Sequence, residues 1–591
     1  METPDSNPFR ALLPEDLRFV RQSYSFRLAV LFVLLLLSFF SSPEVFSPWS
    51  PLILVSLLLF LQRTGSLHEY AVFTAVIYVG TFFGYWSSCP LSATSMPAYM
   101  LFALVPTGAF ILPVAVDRAV GPSRLRHLVF ALIGTSYVVF ASFLSPLGYL
   151  STPFVASTTI SPLPVVGYLL SPHGAVFALL FAASSLVGVA PGEFLNAKRV
   201  ATITVVVWVV LAAAAQILSA VPIPHTLLRV NAVTGMGTPL SSFPTDPTLA
   251  AAASAVSRQA LTENIEAAIG TDVSVLVSSP TYVLMSSDIT QLQIDMSALA
   301  NTYQTVIVYG YMEVGVSGLA VDKDSAVLWT EAVNPQQNGA QSAVVKWPGR
   351  LSASPLSVQD SDAKITSITL SGQRGTVCVV GGDDILRRDM VRDIANLQCD
   401  ILMVPWVGGV AAMKQSMYEA LSTGATATIV ASSSNGVSVS GPGLALAFTD
   451  YLTTDPRTVS TMIPTGRGIS IMGYTQIPVE WLLGLCAAYA LMCTLVTRLG
   501  VADTVKMPLC GMVASAEPDQ VVILNLRGED VSAPGPSLKL ANVDMPDTTI
   551  LPAVHDDGIS PFAGAPAATP NMDPEEDMPA TPVYEPLPGV M

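Results

Sequence analysis

The stretch TVCVVGGDDILRRDMVRDIANLQCDILMVP, from Thr376 to Pro405, decides the reading of the fold. Its first apolar run has the β-branched, short and buried character of an interior strand. Gly381-Gly382-Asp383-Asp384 then breaks the run as a tight turn. An amphipathic segment carrying Arg387, Arg388 and Arg392 follows, and the apolar run at 400–406 reads as a second buried strand. Neighbouring segments repeat the texture. VSVLVSS (273–279), TVIVYGYMEV (305–314) and ATIVASSS (427–434) read as strands, whereas PTLAAAASAVSRQALTENIEAAIG and VAAMKQSMYEALSTG read as helices. Strands alternating with helices over 222–478 predict an α/β layered domain.

The sequence before this domain has a different composition. Over all 591 residues the chain is 51% hydrophobic and only 12% charged, with a mean hydropathy of +0.55. Such values are expected when much of a chain sits in lipid. Apolar stretches at 26–42, 48–62, 69–87, 98–117, 127–147, 172–190 and 200–221 read as a seven-helix membrane domain, the second being short. A closing transmembrane helix is expected at 479–497. Basic residues alternate with the loops. Arg10, Arg18, Arg21 and Arg27 precede the first stretch, and Arg63, then Arg118, Arg124 and Arg126, then Lys198 and Arg199 mark every second connection. By the positive-inside rule this predicts a cytoplasmic N-terminus (1–25) and an external or lumenal segment 222–478 in a plasma, inner or endomembrane. The closing helix returns the chain to a cytoplasmic tail, 498–591.

After Val501, 14 acidic residues stand against Lys506, Arg527 and Lys539, which concentrates the net charge of −16 in the tail. That tail is rich in Pro, Asp, Glu, Ala and Ser, and its composition predicts disorder. Its partner is open, although Tyr584-Glu585-Pro586-Leu587 has the form of a tyrosine-based sorting signal. No basic face exists for nucleic acid. The six cysteines show neither a CxxC nor a metal-like spacing, so no disulfide framework, metal or cofactor is expected.

Several membrane helices, one external α/β domain and one closing helix resemble the layout of the apolipoprotein N-acyltransferases, whose external domain has the nitrilase (carbon–nitrogen hydrolase) fold, an αββα sandwich. The stretch 379–405 resembles that family's strand, nucleophile elbow, helix and following strand. EALSTGATATIVASSSNGVSVSGPG resembles its later helix, strand and turn, and LLSPHGAVFALLFAASSLVGVA its penultimate span before the domain. The resemblance implies a Glu–Lys–Cys constellation: a thiolate attacks an acyl carbon, a carboxylate shuttles the proton and an ammonium stabilises the oxyanion. In the family the acyl chain passes from phospholipid to a lipoprotein N-terminus.

Matched by position, Thr281 stands where the base belongs, Gly382 where the nucleophile belongs, and Lys346 is the one retained triad position. Ser354 and Ser422 replace two further glutamates, while Asp383 and Asp384 flank the elbow. Bland readings stand beside these. Cys378, four residues upstream in the strand, reads as a small buried hydrophobe, as does Cys399. Lys346 reads equally as a solvated lysine, and Asp383 and Asp384 as caps for a helix beginning near Ile385. The implied function is a catalytically degenerate membrane protein, binding a phospholipid, a lipidated protein or another partner through a vacated site. An active acyltransferase or amidohydrolase with a non-standard nucleophile remains an alternative. So does a transporter-like protein, although the expected spans hold almost no charged residues.

Overall fold

The computed structural model describes residues 23–498 except 65–66, 87, 90–91, 93–94, 121–125, 146, 188–194, 221–225, 236, 238–239, 271, 318–319, 336–342, 350–365, 371–374, 407–411, 426, 434–435, 442–447, 450–457 and 466–471. The tail from 499 and Ser354 therefore lie outside the described residues.

Helices α1 (Tyr24–Phe39), α2 (Trp49–Thr64), α3 (Leu67–Gly84), α4 (Met96–Phe102), α5 (Leu104–Val120), α6 (Arg126–Leu144), α7 (Leu163–Val187) and α8 (Leu195–Ala220) form the first part. Four helical stretches are long and apolar enough to cross a membrane: Met96–Val120, Arg126–Phe143, Leu163–Val187 and Gln476–Cys493. Among the described residues, four of the eight expected spans thus have this length and composition. Tyr24–Phe39, Trp49–Gln62 and Arg199–Ala213 are shorter apolar stretches among the described residues, the last lying within the 26-residue α8. At about 1.5 Å of rise per residue, the 16 residues of α1 fall short of a hydrocarbon core of about 30 Å. The polar start of α3, His68-Glu69, dilutes its apolar run.

The α/β segment contains two sheets. The first has the order β13-β1-β2-β4-β5-β6, built from Thr458–Thr465, Thr226–Val233, Val275–Ser278, Val306–Ser317, Ala320–Asn334 and Ala343–Gly349, with β3 (Val283–Met285) also pairing β4. Strands β1, β2 and β4 run parallel, whereas β13, β5 and β6 are antiparallel to their neighbours. The second sheet has the order β12-β11-β10-β9-β8-β7: Phe448–Thr449, Val437–Ser440, Thr428–Ser432, Ile401–Pro405, Thr376–Val379 and Thr366–Thr369. Again the central three, β8, β9 and β10, are parallel. Parallel central strands need crossovers, and the crossovers place helices on the outer faces.

Alternation along the strands separates the two faces of each sheet. Val230, Val275, Val277, Val306 and Val308 meet Val377, Val379, Ile401, Met403 and Val430 in the core between the sheets. On the outer face of the first sheet lie α9 (Pro247–Ala268) and α10 (Ser286–Tyr303), covering Leu276, Ile307, Tyr309 and Tyr311. Helix α9 starts where Asp246 accepts hydrogen bonds from the backbone N–H groups of Thr248 and Leu249, with Pro247 preset in the first turn. Arg258 of α9 reaches Asp295 of α10 at 2.7 Å. Against the second sheet lie α11 (Arg388–Asn396) and α12 (Ala412–Ala425). Their apolar residues Ile394, Met413, Met417 and Tyr418 share one core with Leu54, Tyr85 and Leu179 of the apolar helices. The backbone N–H of Met413 donates to Pro43 O at 3.1 Å. Helix α13 (Met472–Arg498) closes the arrangement against α6 and α7.

A polar knot interrupts the outer core of the first sheet. Buried Glu331 accepts from the Tyr309 and Tyr311 hydroxyls at 2.5 and 2.6 Å and from Gln293 Nε2 at 3.0 Å. Burial first, and then the neighbouring Glu331 carboxylate, hold both phenols above their ordinary value near 10. Replacing Glu331 with Ala leaves these buried donors short of an acceptor and lowers stability by about 3 kcal/mol or more, measured by thermal unfolding of the full chain in detergent. The two tyrosines also give the wild type a stability that is complete below pH 10 and falls as the pH rises past it, because the unfolded chain releases protons the folded one keeps. Tyr309→Phe should flatten that alkaline decline.

Candidate functional site

The parallel strands of both sheets end on one side of the sandwich, and a chain of hydrogen bonds ties those ends together. Gly382 N–H donates to Pro405 O at 2.9 Å, and Trp406 N–H to Ser432 O at 2.8 Å. Ser432 Oγ crosses to the first sheet and donates to Val233 O at 2.5 Å, the carbonyl that also accepts from Ser279 N–H at 3.2 Å. Two residues on, Thr281 Oγ1 donates to Gly235 O at 2.7 Å and accepts from Gly237 N–H at 3.3 Å. Between the turns lies Gly310 of β4, where a Cβ would overlap the ring of Pro280 and sit 3.1 Å from Pro405 Cβ. The structure therefore brings together the two turns that the sequence singled out, at the carboxyl ends of strands where open α/β sheets bind ligands.

Gly382 holds φ +56° and ψ −136°, a conformation that essentially only glycine adopts without strain. At a strand-to-helix elbow that strain usually falls on the nucleophile; here glycine removes it together with the side chain. A 3₁₀ turn, Asp383–Leu386, follows. The Asp384 carboxylate is buried, 3.9 Å from the Arg387 guanidinium. Helix α11 begins only at Arg388, after Arg387, with no side-chain cap bond, so neither aspartate caps it as expected. Asp383 is described by its backbone alone.

Thr281 is buried and tied to backbone on both sides of its hydroxyl. Ser422 is also buried, and its hydroxyl donates to Glu419 O one turn back in α12, at 3.0 Å. Lys346 is described by its backbone: its Cα stands opposite Glu331 in the β5–β6 register, while Trp347 stands opposite Thr330, which in turn pairs with Gly310. Opposite residues of antiparallel strands share a face. Position 346 thus falls on the helix-covered face with Glu331, and position 347 on the face of Gly310.

Several features escaped the sequence reading. Cys378 and Cys399, expected to be separate buried hydrophobes, form a disulfide with Cα atoms 5.7 Å apart. It staples β8 to the end of α11 across a separation of 21 residues, a loop whose closure stabilises by about 3 kcal/mol in the chain-entropy description. Alternation had shown both cysteines as buried, but their pairing required the three-dimensional return of the chain. The ammonium of buried Lys414 lies 3.6 Å from the ring centroid of Trp406, a cation–π contact beside the Pro405 carbonyl that anchors the elbow. The apolar helices also hold ionisable groups that the sequence reading passed over: His173 of α7 lies 2.8 Å from Glu480 of α13. Among the described residues no group of three or more His, Cys, Asp or Glu could hold a metal ion.

No family model and no curated protein matches the sequence. Among solved structures the chain is similar to nitrilase-superfamily amidases. One amidase from Nesterenkonia sp. shares 13% identity over 44% of this chain and 95% of its own, with a TM-score of 0.29. A mutant of the Nesterenkonia AN1 amidase, described as of the nitrilase superfamily, shares 13% over 44% and 96%, with a TM-score of 0.30.

The elbow geometry carries a direct consequence. Gly382→Ala places a Cβ at a positive φ and should cost about 1–3 kcal/mol, whereas Ser422→Ala, which removes one hydroxyl bonded to its own helix, should cost about 1 kcal/mol or less. Thermal unfolding of the two variants in the same detergent separates them.

Proposed function

We propose that this chain is a membrane protein of the apolipoprotein N-acyltransferase architecture whose external nitrilase-like centre is vacated, and that it binds a lipid or lipidated partner without acyl transfer. The observation that carries the reading is the elbow. Gly382 takes the strained backbone geometry of a nucleophile position with no side chain to act. The nearby thiol of Cys378 is consumed in a disulfide. At the second turn, Thr281 supplies a hydroxyl already committed to Gly235, and a hydroxyl has no useful basicity near neutral pH. The register position of Lys346 opposite Glu331, on the helix-covered face of the sheet, supports the same reading. Loss of several members of a nucleophilic unit costs orders of magnitude in rate.

Two features support placing 222–478 outside the cytoplasm: the alternation of basic residues along the chain and the disulfide within that segment, which oxidising compartments favour. The active-enzyme alternative would need another nucleophile, and the serines at the strand ends are engaged otherwise. Ser432 bonds to Val233 O and Ser433 to Gly436 O.

The full chain, purified in detergent and incubated with phospholipid vesicles carrying alkyne-tagged acyl chains, should retain lipid in native mass spectrometry. Its denatured mass should be unchanged. A hydroxylamine-sensitive acyl adduct on the denatured wild-type chain would sink the vacated-centre reading and restore acyl transfer.

A further inference from the structure

Two of the apolar helices lose regular backbone support at neighbouring points. Helix α7 leaves helical geometry at Leu170 and Ser171, the latter at φ +71°, and resumes at Pro172. Helix α13 carries Pro478 in its interior, where a proline removes one backbone hydrogen bond and favours a kink. Polar side chains join the two points. His173, next to Pro172, is fully buried with Nδ1 2.8 Å from Oε1 of Glu480, two residues past Pro478. Gln476 lies one turn before Glu480 on the same face of α13. Its Nε2 donates to Glu480 Oε1 at 3.0 Å and to the Tyr149 hydroxyl at 3.3 Å. The Tyr149 ring lies beside the imidazole, with centroids 5.5 Å apart.

The turn that carries Tyr149 reaches the elbow. It is the 3₁₀ turn Gly148–Ser151, and Gly148 holds φ +52°. A Cβ there would sit 2.4 Å from Leu386 O, so the chain passes at a distance that glycine alone allows. Leu386 ends the turn Asp383–Leu386 that follows Gly382, and Arg387 N–H closes that turn on Asp384 O at 3.0 Å. Contact therefore runs from α13 through Gln476 and Tyr149 to the backbone of the elbow turn. A rigid strut would join two continuous helices. Here the polar side chains meet where each helix can bend. They hold to one another strongly, because an apolar interior solvates polar groups poorly.

We propose that the break in α7 and Pro478 of α13 form a hinge, latched by His173, Glu480, Gln476 and Tyr149, and that this latch sets the elbow turn. While the latch is closed, Tyr149 holds the Gly148 turn against Leu386, and the Gly382 N–H stays on Pro405 O. Bending of α13 at Pro478 withdraws the latch contacts, because Gln476 and Glu480 flank the proline within one helical turn. The Gly148 turn then loses its anchor, and the turn Asp383–Leu386 gains freedom to move. A few residues that absorb the backbone change beneath a packed contact are the usual construction of a hinge. The elbow is thereby coupled to the position of α13, whatever the centre at Gly382 binds.

Hydrogen exchange of the full chain in phosphatidylcholine nanodiscs, read by peptide mass spectrometry at one pH, tests the hinge. The readout is the peptide spanning 380–387, which holds the Gly382 N–H bonded to Pro405 O at 2.9 Å. Glu480→Gln and Tyr149→Phe should each speed exchange there about fivefold or more, the size expected for loss of one buried polar contact. Peptides from β4 and β5 should be unchanged. Ser136→Ala is the control, because Ser136 Oγ donates to Leu483 O at 3.3 Å and its loss frees α13 of a bond outside the latch. It should leave the elbow as it is. Pro478→Ala restores the helical bond, so in either latch-variant background it should bring the elbow back toward wild-type protection, a rescue that a static tie would not show. The proposal fails if neither latch variant alters exchange at the elbow, or if Ser136→Ala alters it as much. It fails equally if exchange rises to the same extent in β4 and β5, or if Pro478→Ala gives no rescue.

Discussion

Helix α12 is buried on both of its long sides, and this double burial constrains the rest of the molecule. Its buried Met413, Met417, Tyr418 and Leu421 share one core both with Leu402, Val404 and Ile429 of the second sheet and with residues of the apolar helices. Each large side chain removed from water on this seam contributes about 1.5–3 kcal/mol. Two interfaces therefore compete for the same fourteen-residue helix, and neither can slide without opening the other. The elbow inherits that rigidity. Its backbone is hydrogen-bonded to the end of β9, and β9 is packed on α12. A turn in a loop of a free-standing domain could breathe; here it is fixed against the layer of apolar helices.

Such a scaffold can hold a site without performing chemistry at it. An enzyme with an elbow stores backbone strain to aim a nucleophile, and the strain is repaid by the packing around it. Gly382 keeps the turn while relieving the strain, and the Cys378–Cys399 disulfide then stiffens the strand and helix on either side. What survives is geometry: two turns facing each other across Gly310, closed by Ser432 and Thr281 hydrogen bonds to opposite strands. On the proposed reading this geometry serves recognition, where preorganisation reduces the cost of binding.

The sequence made the layered α/β domain legible because period-two burial and helical periodicity are local properties. The strand runs at 275–278, 376–379, 401–405 and 428–432 lie within the apolar stretches read from residues alone, and the run at 306–317 extends three residues past the stretch read at 305–314. The turns at Pro280-Thr281 and Gly381-Gly382 were legible for the same reason. What failed was long-range. The pairing of Cys378 with Cys399, the register of Lys346 with Glu331, and the knot of Tyr309, Tyr311 and Gln293 around that carboxylate all depend on how separate segments return to one another. Span counting depends on helical length as well as on composition. Apolar composition alone placed α1, α2 and α8 among the crossings, and among the described residues their apolar stretches are 10–17 residues long.

The charges in the apolar helices show why a composition argument misses a site. Across a 25-residue helix such as α7, one histidine barely alters the mean hydropathy, and one glutamate near the start of α13 does little more. Energetically they dominate, because each polar group buried in an apolar bundle must find a partner or be lost from the fold. His173 and Glu480 are far apart in sequence and satisfy each other only after α13 returns to α7. Glu480 meets that demand through Gln476 as well as through His173. A fold selected only for stability would replace such a pair with packed apolar side chains at little loss. Its position at a break in α7, directly under the elbow turn, ties the polar interior of the bundle to the α/β domain above it.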